Sequence, residues 1–172
     1  MFLNHIKNFF VKKSLKNHLK NLKNTNAVGA IQNVGLLIDA TDFEQTDLLI
    51  EALTANGIAR DNLKVMVFHN KFRKNEKNLY TTFVAGDLKW NGQISNADIV
   101  AFSAEKFDLL ISYYEKESAI LMQITHHSKA QFKVGFSSVD KRLNHFMIKT
   151  TIKTYTIFVS ELFKYLKLLN KI

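Results

Sequence analysis

Asp39 and Asp42 stand three residues apart where the apolar run NVGLLID (33–39) gives way to a polar turn. Paired carboxylates at the carboxyl end of a buried strand could bind Mg²⁺ or work as a general acid and base. The same residue types suit a turn and the start of a helix, where the dipole favours negative charge, and that reading is the stronger. His126 and His127 are adjacent. On a helix they would project about 100° apart and could not chelate one ion together. No HExxH stretch occurs. Ser103 and Lys106 make an SxxK pair that lacks the further partners of such a nucleophile, and there is no Gly-x-Ser-x-Gly.

Other chemistries are excluded by what the turns and the composition lack. The turn after the first apolar run reads DATDF, without the glycines that let backbone approach a pyrophosphate, and no Walker-type loop is found. The Asp39/Asp42 spacing also differs from the Asp-x-Asp of haloacid-dehalogenase-type phosphatases. With no cysteine, disulfides, thiolate catalysis and cysteine zinc sites are ruled out. The reading therefore assigns no catalytic residue, no metal ligand and no cofactor.

Charge supplies the remaining signal. The 172 residues carry a formal charge of +9, and six lysines precede the first carboxylate, Asp39. These are Lys7, Lys12, Lys13, Lys16, Lys20 and Lys23. A second cluster, Lys71, Arg73, Lys74 and Lys77, is opposed only by Glu76 and flanked by Phe72 and Tyr80. Trp90, the single tryptophan, follows Lys89 and could stack on a base or sugar, although a loop anchor is the stronger reading. Basic elements with interleaved aromatics suit a polyanion, and lysines position phosphates without reading sequence. Six neutralised phosphates would give log K against log[salt] a slope of roughly −4 to −5. No RNP signature, GXXG loop or zinc finger is present, so structured RNA recognised by shape, such as rRNA, is the expected partner.

The elements that must carry these residues follow from hydrophobic period. Residues 2–23 predict a helix with split apolar faces: Phe2, Ile6, Phe9 and Phe10 on one side, Val11, Leu15, Leu19 and Leu22 on another. A polar stretch to residue 32 reads as a linker, and residues 33–172 as one α/β domain. Thr41 and Glu44 form a capping-box pair ahead of FEQTDLLIEALTAN, which Gly57 would stop. Apolar runs at 33–39, 63–69, 107–114 and 131–137 predict buried parallel strands, with shorter strands at 81–85 and 146–150. Ser95 and Asp98 should cap a helix over 96–104, and further helices are expected over 116–129 and 153–170. Strands alternating with helices predict a three-layer Rossmann-like α/β fold with a mostly parallel sheet, preceded by a basic N-terminal helix. No apolar run approaches bilayer length, and the N-terminus lacks the pattern of a signal peptide.

GLLIDAT (35–41), DLKWNG (87–92), FDLLIS (107–112), KAQFKVG (129–135) and FMI (146–148), in this order behind a basic helix, resemble an uncharacterised family of small Bacteroidota proteins, a domain of unknown function. The resemblance implies the α/β fold and a bacterial cytoplasmic setting, and it supplies no catalytic residues.

Three readings result. The first is a non-enzymatic, ribosome-associated RNA-binding protein whose lysine helix and 71–77 loop lie on rRNA, possible contacts with ribosomal proteins included. The second is a glycosyltransferase-like or nucleotide-binding enzyme with a cleft lined by Asp39, Thr41, Asp42 and Ser112. The third is a peripheral protein held on an anionic membrane surface by its helix.

Overall fold

The computed structural model describes residues 2–22, 29–70 and 79–172. Helix α1 (Phe2–His18) comes first, then β1 (Val34–Asp39), α2 (Thr46–Ala55), β2 (Leu63–His69), β3 (Thr81–Val84), α3 (Ala97–Ala104), β4 (Leu109–Tyr113), α4 (Ala119–His127), β5 (Phe132–Phe136), β6 (Phe146–Ile148) and α5 (Tyr155–Leu168). The strands form one parallel sheet of order β3-β2-β1-β4-β5-β6. This is the doubly wound Rossmann order, reversing direction between β1 and β4.

The strands read as apolar runs because both sheet faces are covered, and every residue of β1, β4 and β5 is buried. Val34, Leu36 and Ile38 point with Leu109, Ile111 and Tyr113 towards α2 and α5. Leu37, Met66, Phe68 and Leu110 point the other way, towards α3 and α4. Helix α1 lies outside α4 on that second side, so the N-terminal element adds a further layer.

Two helix starts differ from expectation. The Thr41/Glu44 capping box does not form: α2 begins at Thr46, behind Gln45, which makes no side-chain cap. Thr41 serves the turn instead, its amide donating to Asp39 Oδ1 at 3.0 Å and its Oγ1 accepting from the Asn70 amide at 3.2 Å. At α3 the cap is Asn96 rather than Ser95, its Oδ1 accepting from the amides of Asp98 and Ile99. The predicted stop after α2 is present: Gly57 has φ +116°, a conformation that costs a residue without Cβ little.

Candidate functional site

Helix α1 docks through Val11, Leu15 and Leu19, spaced four residues apart and all buried. Leu15 and Leu19 pack against Met122 of α4 and Leu143, while Val11 joins the core beneath α3 and α4. Polar contacts fix the ends. Asn8 Oδ1 accepts from the Ala119 amide at 2.6 Å, the first of α4. Arg142 donates to the Leu19 carbonyl at 3.2 Å and grips Asp140 with bonds of 2.9 and 2.7 Å. Those bonds hold the Asp140 carboxyl down to about 2.

The docking redistributes the lysines. Lys7 is only 7% exposed, and its ammonium donates to the carbonyls of Ala85 (3.1 Å) and Leu88 (2.6 Å). The expectation that it meets a phosphate is corrected: the ammonium is a strut between α1 and the segment after β3. Lys12 and Lys16 both reach Glu117, at 3.8 and 2.7 Å. One carboxylate a hundred residues away thus answers two of the six N-terminal lysines. Lys13 and Lys20 remain exposed on the outer ridge. Lys23 and the basic cluster Lys71, Arg73, Lys74 and Lys77 lie outside the described residues.

Lys89 and Trp90 are brought beside α1. The turn that carries them is closed by Lys89 N–H to Gln93 O (2.8 Å) and Gly92 N–H to Lys89 O (3.1 Å), with Gly92 at φ +81°. A side chain at 92 would be strained and would crowd the Gln123 amide at 3.1 Å. The turn leaves Trp90 56% exposed, so it is not the packed loop anchor that its type suggested. Next to it runs a groove of about 550 Å³ between α1, the turn and the end of α4. Lys89, His18, His126 and His127 line it, together with Gln93 and Gln123, and among the described residues no carboxylate does.

Sequence spacing could not assemble these histidines, because His18 comes from a different helix. His18 Nδ1 faces the Ser14 carbonyl at 2.7 Å and His127 Nδ1 faces that of Gln123 at 3.0 Å. A ring nitrogen against a carbonyl must carry the proton, so Nε2 is an acceptor in the neutral ring and becomes a donor on protonation. Burial lowers the pKa of His126, and the neighbouring His127 and Lys133 lower it further. His145 sits elsewhere, accepting from the Lys133 amide at 2.9 Å. Among the described residues no cluster of three metal-ligating side chains exists.

Lys133, on β5, supports the groove from below. The residue is 4% exposed, and its ammonium donates to the carbonyls of Thr125 (2.7 Å) and His126 (3.4 Å) at the end of α4. Burial, with a smaller contribution from Lys129, pulls it from 10.5 down to about 8. Between those pH values the unfolded chain holds more protons than the folded one, so this group makes stability rise with pH through that window. From pH 7 to 9.5 the expected gain is about 1–2 kcal/mol. Lys133→Met should abolish the gain, read from urea midpoints of both proteins at the two pH values. Identical pH shifts would show that the ammonium is not its source.

The remaining sequence candidates separate. Asp39, Thr41 and Asp42 gather at the end of β1 and line a common cavity. Ser112 does not: it is buried, its hydroxyl within 3.2 Å of that of Thr125. Ser103 is buried, and its hydroxyl donates to the Ile99 carbonyl within its own helix at 2.8 Å. Among the described residues no helix is long and apolar enough to cross a membrane.

A family model described as "Family of unknown function (DUF6913)" matches residues 7–169, and so takes in most of α1 as well as the sheet. No curated protein and no solved structure matches the chain.

Proposed function

We propose, for a chain that belongs to the DUF6913 family and receives no activity from it, that it is a non-enzymatic protein binding structured RNA, with ribosomal RNA as the source. The observation that carries this reading is the groove beside α1: Lys89 and three histidines line it, no described carboxylate does, and Trp90, which sits in sequence between the lining residues Lys89 and Asn91, is 56% exposed. Phosphates would meet Lys89 and, along the ridge of α1, Lys13 and Lys20, while an unpaired base would stack on Trp90. The net charge of +9 adds a long-range attraction.

Because Lys7 is buried and Lys12 and Lys16 are paired, fewer phosphates are neutralised than the lysine count suggests. About three of them would give log K against log[salt] a slope of roughly −2 to −3. The test is sedimentation of tagged protein through a sucrose gradient at low salt, with binding of a labelled rRNA fragment titrated against KCl. Co-migration with ribosomal particles and that slope are expected, and Lys89→Glu with Trp90→Ala should weaken binding about tenfold or more. Protein that stays at the top of the gradient refutes the reading.

A second reading has one specific observation behind it. Leu3, Phe9 and Phe10 are 57–67% exposed on α1, beside Lys13. An apolar ridge with a neighbouring lysine suits the surface of an anionic bilayer. Flotation with phosphatidylserine vesicles, lost in Phe9→Ser/Phe10→Ser, would favour it over RNA.

A further inference from the structure

The strand order reverses between β1 and β4, and the carboxyl ends of these strands open onto a cavity of about 430 Å³. Doubly wound sheets take their ligands at this switch point, and the volume lies within the range of small-molecule sites. Phe68 and Ile120 supply apolar wall. Asp39 lines the cavity from the end of β1, and Asn4 and Asn8 line it from α1, with Asn70 following β2. The α1 wall is fixed by the Lys7 bonds to Ala85 and Leu88 and by the Asn8 bond to the first amide of α4.

We propose that this crevice binds a neutral, ring-bearing molecule with a vicinal diol, of the sugar or nucleoside kind, whose hydroxyls donate to the Asp39 carboxylate. The described lining favours hydroxyls over a phosphate next to Asp39. Asp39, Asp42 and Glu117 line the cavity, and among the described residues Asp42 is paired with Lys116 and Glu117 with Lys12 and Lys16, which leaves the Asp39 carboxyl without an ion pair. Lys116 is paired with Asp42 at 2.7 Å, and Lys7 is held by its two carbonyls. The turn after β1 has no glycine through which backbone could approach a diphosphate.

The polar lining suits hydroxyls. A carboxamide both donates and accepts, as a hydroxyl does, and three asparagines line the space. Burial raises the Asp39 carboxyl above its ordinary value. A carboxylate short of water gains most from strong O–H donors, and a diol offers two side by side. The inference rests on the cavity and not on the RNA reading, so either can fail without the other.

The test is saturation-transfer NMR on the full chain with adenosine, glucose, 2′,3′-dideoxyadenosine and ATP as probes. Transfer to adenosine or to glucose is expected, with none to dideoxyadenosine and weaker binding of ATP than of adenosine. A response to glucose alone identifies a sugar site, and to adenosine alone a nucleoside site. Asp39→Asn should weaken the responding probe about tenfold or more. If that variant melts early, Asn4→Ala and Asn70→Ala, both at exposed positions, take its place and should each weaken binding at least about threefold. The proposal is overturned if neither diol probe responds at millimolar concentration. Equal binding of dideoxyadenosine or ATP, or unchanged affinity in these variants, overturns it as well.

Discussion

Tyr113→Ala should lower stability by about 4–5 kcal/mol, the largest effect expected of any single truncation in the sheet. Tyr113 is fully buried on the central strand β4, and its ring lies 4.9–5.0 Å from those of Phe43, Phe136 and Phe158. Its hydroxyl donates to the Ile152 carbonyl at 2.7 Å, tying the chain ahead of α5 to the sheet. Alanine would remove the ring that those three aromatics surround, leave a cavity and strand a carbonyl. For a chain of this length the melting temperature should fall by roughly 10 °C or more. Tyr113→Phe keeps the ring and loses only the bond, so it should cost about 1–2 kcal/mol. Chemical denaturation of both variants separates the two contributions. A loss below about 1 kcal/mol in the alanine variant would show that the aromatic cluster does not hold the sheet together.

Leu15→Asp should release α1 while leaving the sheet folded. Leu15 is buried against Leu19, Met122 and Leu143, and a carboxylate there would be desolvated among those apolar groups. An isolated helix of this length is marginal in water, so once undocked α1 should fray. Hydrogen exchange would read the result directly: amides of residues 3–18 should lose protection by orders of magnitude, whereas those of β1 and β4 should keep theirs. Leu3→Asp, at an exposed position on the same helix, should change neither. Retained protection in α1 would show that its docking does not depend on the Leu15 contact. The same variant also removes the Asn4 and Asn8 wall of the crevice and the ridge that carries Lys13 and Lys20.

Much of the architecture is legible because its signals are local. A parallel sheet covered on both faces favours nearly continuous apolar strands, and NVGLLID, LKVMVFH, FDLLISYY and QFKVGFS show that without knowledge of their partners. Gly57 marks the end of α2 because the left-handed conformation there selects for glycine. The helix starts are less legible. Thr41 carries the right residue type for a cap, but the β1 and β2 ends come close enough for the Asn70 amide to claim its hydroxyl. That competition comes from a strand thirty residues away.

The amino-acid sequence by itself determined the α/β class, the order of its elements, the excess of positive charge and the lack of cysteine or glycine-rich chemistry. Only the tertiary structure decided what the acid-free N-terminal segment does with its lysines. Charge is a property of composition, whereas its availability depends on what lies opposite. Glu117 meets Lys12 and Lys16, two carbonyls take up Lys7, and Lys13 and Lys20 stay in water. Likewise His18, Lys89 and His126 share a groove only because Val11, Leu15 and Leu19 press α1 against the body. The apolar side of that helix, rather than its basic one, sets where its charges stand.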